Sequence, residues 1–411
     1  MDYINRAAEK LAKEAVETYK SILVTGARQT GKSTMLEELF PDRKVVTFDD
    51  QFAEDQAKNN PTEFIDLNPP PVTYDEVQYV PSLFRYIKIA CDASKDTGLF
   101  CLTGSQPFKL MKTASESLAG RVSIIELSTL SLREMQKTDF DQSFVPTMEY
   151  VKARQKSAKK PKNIWSIIHR GGYPALQNPK MNWERFFSDY IKTYLERDVR
   201  ALSAVQDLNT FRRFMIACAA RTGQMLNYSN IASEISKDAD TVKNWISILE
   251  ASGIIYILEP YCPSVLNRAI KTPKLYFRDT GLACYLTRWL TPETLANGAM
   301  AGEIFETYVI SEILKSYSNA GIDYHYCVSY YRGKDKKDSS ESEIDFIIEK
   351  DGLLYPVEIK KTSKPAADMT SAFTILDNIP EKKRGTGAVV CMCSAPGLLR
   401  ENILAIPVWY V

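Results

Sequence analysis

Over the first 130 residues, short apolar runs rich in β-branched and aromatic side chains alternate with stretches whose apolar positions recur every three or four residues. The runs "SILVTGA", "KVVTFDD", "PVTYDEV", "GLFCLTGS" and "VSIIELSTL" read as strands, and "TMLEELF" and "SLFRYIKIACDAS" as helices between them. Such alternation predicts an α/β unit over 1–150, a parallel sheet covered by helices. From 151 to 224 the period is helical, as in "WERFFSDYIKTYLERDVRAL". A third unit spans 225–264, and from 265 to 411 strands and helices mix as an α+β domain. No internal repeat or low-complexity tract interrupts the chain.

In "MLNYSNIASEISKDADTVKNWISILEASGIIYILEPYC", Ile231 and Ile235 mark one short helix, and Val242, Ile246 and Leu249 a second that Gly253 can end before a strand. Helix, turn, helix, strand is the outline of a winged helix. In a DNA-reading version, Thr241, Lys243 and Asn244 would face a major groove. Asp238, Asp240 and Glu250 crowd the same helix with acids, so a packing or lid role stands beside that reading. The stretch 151–163, "VKARQKSAKKPKN", holds six Lys or Arg and no acid. It reads as a solvated linker or as a phosphate-contacting patch. "KLYFRDTGLACYL" reads as a strand, a turn at Asp279 to Gly281, and a helix capped by Asp279 or Thr280.

Near the C-terminus, "SSESEIDFIIEKDGLLYPVEIKK" has the form of a hairpin turning at Asp351 and Gly352. Strand periodicity puts Ile344, Phe346 and Ile348 on one face and Glu343 and Asp345 on the other; Glu358 and Lys360 point together, opposite Val357 and Ile359. Pairing of the two strands would bring Asp345, Glu358 and Lys360 to one face. The wet face of an ordinary sheet often carries such charges, so the hairpin alone leaves a structural reading and a metal-site reading open.

Bulk numbers narrow the choice. A chain of 411 residues suits two or three domains, and 45% hydrophobic with 25% charged residues is the balance of a globular protein. With a net charge of +1, nucleic-acid affinity would have to come from a local patch. No apolar run approaches the roughly 18 residues of a membrane span, and the N-terminus lacks the apolar core of a signal peptide. The expected location is cytoplasmic. Eight cysteines and two histidines show no metal-ligand clustering, and most of the thiols are expected as small buried hydrophobes.

The chemistry begins at "VTGARQTGKST". Gly26, Gly31, Lys32 and Ser33 match GxxxxGKS between a strand and a helix, the context this pattern requires. The backbone of Gly26, Ala27, Arg28, Gln29, Thr30 and Gly31, with Lys32, Ser33 and Thr34 opening the helix, would surround the phosphates of ATP. Lys32 would reach the β and γ oxygens, and Ser33 would ligate Mg²⁺. The strand "PVTYDEV" ends in Asp75, placed to hold the Mg²⁺ water shell, and Glu76, placed to polarise the attacking water. Ser105, closing "GLFCLTGS", could contact the γ-phosphate. Arg121 and Arg197 are candidates for neutralising transition-state charge, each with a plain salt bridge as the alternative, and Arg28 is a further possible contact.

These motifs, with "YDEVQYVPSLFRYIK", "LTGSQPFKL", "SLAGRV", "YLERDV", "LNYSNIASEI" and "GEIFETYVISEI", resemble the AAA-type P-loop ATPases over nearly the whole chain. In particular they resemble the prokaryotic family that joins this ATPase to a C-terminal nuclease-like domain. The resemblance implies Lys32 and Ser33 as Walker A residues, Asp75 and Glu76 as the Walker B pair, and Ser105 at the sensor position, commonly Asn elsewhere. Asp345, a short hairpin and Glu358-x-Lys360 resemble the PD-(D/E)XK nucleases, a restriction-endonuclease-like fold. Glu306, beside the Phe305, Val309 and Ile313 stripe of its helix, stands where that superfamily often has a further acid. Asp345, Glu358 and Glu306 would then bind Mg²⁺ or Mn²⁺, with Lys360 assisting the water or the phosphate. The implied function is ATP binding and hydrolysis, acting on or gated by DNA; a regulatory ATPase switch that binds nucleic acid or protein without cutting is the alternative. A homo-oligomer is left open.

Overall fold

The computed structural model describes residues 3–105, 117–194, 199, 207–262, 272–334 and 341–411. Five parallel strands form the first sheet: β1 (Ser21–Thr25), β2 (Lys44–Thr47), β3 (Val72–Asp75), β4 (Phe100–Gly104) and β5 (Val122–Glu126), in the order β2-β3-β4-β1-β5. The expected strands and helices form, and two helices that the sequence reading did not name, Gln51–Asn59 and Pro61–Leu67, lie between β2 and β3. β1 and β4 are buried along their whole length, as sheets covered on both faces require, and this explains why "SILVT" and "FCLTG" are nearly unbroken apolar runs. Because the strands are parallel, all their C-terminal ends lie on one edge. β4 lies between β1 and β3, so Ser105 emerges between the loop after β1 and the acids after β3.

The middle region holds helices Leu208–Ala219, Tyr228–Ile235 and Ala239–Ala251, with a three-stranded antiparallel sheet of β6 (Gln224–Met225), β7 (Ile255–Leu258) and β8 (Lys274–Phe277) in the order β6-β8-β7. Val242, Ile246 and Leu249 are buried as their spacing predicts, joined by Trp245. The chain leaves this sheet only after Phe277, because β8 pairs with β7 and β6. Hydrogen bonding therefore carries the unit that starts at 225 past the expected boundary at 264. Asp279 caps helix Thr280–Leu286, accepting from the Leu282 N–H at 3.1 Å.

A long buried helix, Ala301–Ser318, then precedes β9 (Val328–Lys334), β10 (Glu341–Lys350) and β11 (Leu353–Ile359), an antiparallel meander. The 3₁₀ segment Ala367–Asn378 and the short β12 (Lys383–Arg384) lead to β13 (Gly387–Cys391), parallel to β11. β14 (Gly397–Arg400) and β15 (Ile403–Pro407) complete the sheet beyond β13. Asp351 and Gly352 both take positive φ, 52° and 75°, as a two-residue hairpin turn demands.

Two sequence expectations need correcting here. Ile344 does not share a face with Phe346 and Ile348. The β10–β9 ladder slips between Ile344 and Ile347, and the extra residue turns Ile344 toward Ile347 and Leu354, while Phe346 and Ile348 pack with Val357 and Ile359. The basic stretch 151–163 is not a wholly solvated linker either. Its start belongs to helix Met148–Gln155, where Tyr150, Val151 and Arg154 are buried. Arg154 donates to the Trp409 carbonyl at 3.3 Å and Tyr150 Oη to the Tyr410 carbonyl at 2.8 Å. One hydrophobic core gathers buried residues from as far apart as Leu132 and Val411, with two smaller clusters at the C-terminal sheet. All eight cysteines are free thiols, and all but Cys327 are buried.

Candidate functional site

Between β1 and helix Lys32–Leu39 the backbone turns through Gly26 (φ 141°), Gln29 (φ 60°) and Gly31 (φ 90°). A side chain on Gly26 would collide with the Leu127 carbonyl, 2.2 Å from the position of its Cβ, so only glycine lets the loop lie against the end of β5. The loop is tied down from inside: Thr30 Oγ1 donates to the Ala27 carbonyl at 3.0 Å. Buried Lys32 donates from Nζ to the Gly26 and Ala27 carbonyls at 3.2 and 3.0 Å. Thr34 is exposed in the first helical turn, and Arg28 reaches Tyr79 Oη at 3.4 Å.

The acids of β3 meet this loop. Ser33 Oγ donates to Asp75 Oδ1, and the same carboxylate accepts from Thr103 Oγ1 at 2.6 Å and Thr47 Oγ1 at 3.1 Å. A hydroxyl and a carboxylate already in contact are hard oxygen donors and fit Mg²⁺. Glu76 takes a left-handed conformation (φ 57°) with its N–H on Thr103 Oγ1 at 3.1 Å. Its Oε2 accepts from Ser105 Oγ at 2.9 Å and from Gln78 Nε2. Gln78 also donates to Ser105 Oγ at 3.3 Å and is buried. Sequence reasoning passed over Gln78, although its place two residues after Glu76, on the turn leaving the strand, was the available signal.

Arg121 does not reach this site within its own chain. It precedes β5, whose register pairs Val122 with Ser21 at the start of β1, and five residues at about 3.3 Å each put it at the opposite edge of the sheet from the loop. There it clamps Asp92 at 2.5 and 3.2 Å, the plain salt bridge that was its alternative. Arg197 lies outside the described residues. Two other arginines meet the P-loop and its flank. Arg6 donates to the Thr30 carbonyl and the Ser128 carbonyl, each at 2.7 Å, and to Glu134 at 2.9 Å. Arg278 pairs with Glu126 and donates to Ser128 Oγ at 2.9 Å, in a small cavity also lined by Gly26, Ala27, Thr30 and Gly253. Burial pushes the Glu126 carboxyl up, but Arg278 and Tyr324 outweigh it and hold it below its ordinary value.

The hairpin acids converge as the strand pattern predicts. Lys360 Nζ lies 2.6 Å from Glu358 Oε1 and 3.3 Å from Asp345 Oδ2, which also accepts from the Ile359 N–H at 2.8 Å. Asp345 and Glu358 are buried, and Glu358 Oε2 is buried without a hydrogen-bond partner. Glu306 faces the same group, but its Oε1 accepts from Tyr276 Oη at 2.5 Å and lies 3.4 Å from Lys274 Nζ. Burial, then the neighbouring Asp345 charge, raises both Glu306 and Glu358 well above the ordinary carboxylate range. The donor set is one that hard divalent cations prefer. Among the described residues, however, no group of three or more His, Cys, Asp or Glu side chains is placed to hold a metal ion.

A carboxyl whose pKa is higher folded than unfolded makes the folded state bind more protons, so stability falls as pH rises from the ordinary glutamate range toward the folded pKa. Glu358→Gln imitates the protonated form. Its melting temperature relative to wild type is expected to rise steadily between pH 5 and about 8, as thermal denaturation across that range would show; a constant difference would contradict the shift.

In the middle region Lys243 and Asn244 are exposed, as a groove-reading helix would need. Thr241 is half-buried, with its hydroxyl on Asp238 Oδ2 at 2.7 Å, and Lys243 pairs with Asp240 at 3.1 Å.

Residues 18–136 match the family model of an AAA domain. Residues 161–293 and 301–411 match the models of two domains of unknown function, DUF8612 and DUF4143. Uncharacterized proteins of Mycobacterium tuberculosis and Mycobacterium bovis are each 26% identical over 375 residues, 90% of this chain and 77% of theirs. Among solved structures, a Walker-type ATPase of Pyrococcus abyssi is 15% identical, covering 69% of this chain and 96% of that one, with a TM-score of 0.43. AMPPCP-bound DnaA from Aquifex aeolicus is 17% identical over 61% of this chain and 89% of that one, at 0.30. Scores this low do not establish a shared overall fold. No helix among the described residues is long and apolar enough to cross a membrane. The family match and the loop, lysine and paired acids on one sheet edge agree: residues 18–136 form a P-loop ATPase domain of the AAA type.

Proposed function

We propose that the chain hydrolyses ATP, and that nucleotide state is passed to a C-terminal domain that acts on or is gated by DNA. The observation that carries the first part is the contact of Ser33 with Asp75 beside a Glu76 already oriented by two neighbours. Mg²⁺, when bound, would supply charge neutralisation on the phosphates, with Ser33 and Asp75 as its protein ligands. Lys32 would exchange loop carbonyls for phosphate oxygens. Glu76, with one carboxylate oxygen fixed by Ser105 and Gln78, would accept the proton of the attacking water. Gly26, Ala27, Arg28, Gln29, Thr30 and Gly31 would contribute their backbone to the phosphate cradle.

The second part draws support from how tightly the regions are joined. Gly253 (φ 69°) ends the helix Ala239–Ala251, and its Cβ position lies only 3.3 Å from the Ala27 N. On the helix that carries Glu306, Ser311 donates to the Arg278 carbonyl at 2.7 Å, Glu312 accepts from the Leu132 N–H at 2.7 Å, and Lys315 donates to the Leu130 carbonyl at 3.1 Å. A shift of the P-loop flank would therefore be felt at Glu306. Helix, three antiparallel strands, crossover and a parallel strand, with Asp345, Glu358 and Lys360 gathered on the hairpin, support the nuclease-like reading. The helices and three-stranded sheet of 208–277 support the winged-helix reading.

A second reading, a switch that does not cut, is favoured by one observation: Glu306 is engaged by Lys274 and Tyr276. Incubating the protein with linear, circular and single-stranded DNA, with Mg²⁺ or Mn²⁺ and with or without ATP, separates the two. Cleavage by wild type that is lost in Asp345→Ala supports the nuclease. No cleavage by wild type leaves the non-cutting switch, and equal cleavage by Asp345→Ala removes the nuclease role given to the hairpin acids.

A further inference from the structure

Lys274 opens β8, a strand of the middle sheet, yet its ammonium group lies among the acids of the C-terminal domain. Its side chain is 5% exposed, and Nζ pairs with both Glu306 and Glu343. Tyr276, two residues along β8, holds the same Glu306 oxygen. Beyond them lie Asp345 and Glu358, bridged by Lys360, and the buried Glu358 Oε2 that has no partner. An unpaired carboxylate oxygen in such a place is costly and points to a ligand that would satisfy it. Four acids with two ammonium groups between them form a site in which cations are already supplied, by the protein.

We propose that Lys274 is a built-in counter-ion that holds Glu306 away from Asp345 and Glu358, so that a divalent cation binds fully only when Lys274 gives Glu306 up. The inference rests on the reading of these three acids as cation ligands. Two acids of the hairpin, Asp345 and Glu358, are in place, and the third is drawn toward β8 by one ion pair and one hydroxyl. A dication competing for Glu306 must break its ion pair with a buried ammonium, leaving Lys274 to Glu343, and this lowers affinity. β8 continues directly into Arg278, which pairs with Glu126 at the end of β5. The strand that withholds Glu306 is therefore anchored beside the P-loop, and Lys274 is a positioning residue under the control of that anchor.

Mn²⁺ titration of the full chain without nucleotide tests this, read by the electron paramagnetic resonance of free Mn²⁺, with Ser33→Ala in every variant to silence the P-loop. Lys274→Met is expected to bind Mn²⁺ at least about tenfold more tightly than the Lys274 parent, the scale of one close charge pair. Lys274→Arg should stay weak, and adding Asp345→Asn to Lys274→Met should abolish the gain. Tyr276→Phe, which loosens Glu306 without changing charge, should tighten binding to a smaller extent and serves if Lys274→Met folds poorly. If Asp345→Asn abolishes binding but neither Lys274→Met nor Tyr276→Phe tightens it, the acids hold a cation and the gate is wrong. If Asp345→Asn, Lys274→Met and the parent titrate alike, the cation reading itself fails and the gate falls with it.

Discussion

Glu76→Gln is expected to lower the rate of ATP hydrolysis by about 10²- to 10⁴-fold, the range a positioned general base contributes, while nucleotide affinity changes little. The geometry makes the two effects separable. Glu76 touches Ser105, Gln78 and the Thr103 hydroxyl, whereas the phosphate-binding loop is shaped by Gly26, Gln29 and Gly31 and by the Thr30–Ala27 bond. A glutamine keeps the shape and can still pair with Ser105, but it cannot take a proton. Steady-state phosphate release and equilibrium binding of a fluorescent ATP analogue would show a fall in kcat at nearly constant Kd. Ser105→Ala and Gln78→Ala should give smaller losses of the same kind, since each removes one bond that aims the carboxylate and leaves the base in place.

Arg6→Ala carries the largest expected effect on stability. Arg6 and Glu134 form an ion pair with side chains only 4% and 3% exposed. The Glu134 carboxylate also accepts from the Ala7 N–H at 2.9 Å and, within its capping box, from the Ser131 N–H at 2.6 Å. Removing Arg6 strands a buried charge and two carbonyls, one of them Thr30 in the P-loop, and breaking such a pair typically costs about 3–5 kcal/mol. Burial raises the Glu134 carboxyl, but Arg6 and the backbone N–H groups outweigh it, and its pKa lies below the ordinary value. The contribution is therefore complete above the unfolded glutamate pKa and is lost as pH falls through the depressed folded one. Thermal melts of wild type and Arg6→Ala should differ most at neutral pH and converge in acid. Hydrogen exchange should accelerate at the amides of 26–33; an unchanged melt at neutral pH would contradict the role given to Arg6.

Strands and P-loop were legible in the sequence because parallel strands buried on both faces leave unbroken apolar runs, and because phosphate binding demands glycine, lysine and serine at fixed spacing. Asp345, Glu358 and Lys360 were legible for a related reason: a two-residue turn at Asp351 and Gly352 sets the hairpin register and brings them together. What the sequence concealed depends on contacts distant along the chain. Arg6 reaches Glu134 across 128 residues, and Arg278 reaches Ser128 across 150; nothing in local spacing announces either. The slip between Ile344 and Ile347 broke a face assignment based on strict alternation, since a bulge reverses the sides of every residue beyond it. Arg121 forms the salt bridge that was one of its two readings, a choice the motif left open because it does not say at which end of a strand the residue lies. Lys274 went unnoticed because β8 belongs to one sheet and its lysine to the site of another.

The most direct test of the central claim is phosphate release and retained nucleotide measured in one sample of the full chain with ATP and Mg²⁺, comparing wild type with Lys32→Ala. Wild type should bind and turn over ATP, and Lys32→Ala, lacking the ammonium that would grip the β and γ oxygens, should do neither. Turnover by Lys32→Ala at the wild-type rate would contradict the assignment of this loop as the site of hydrolysis.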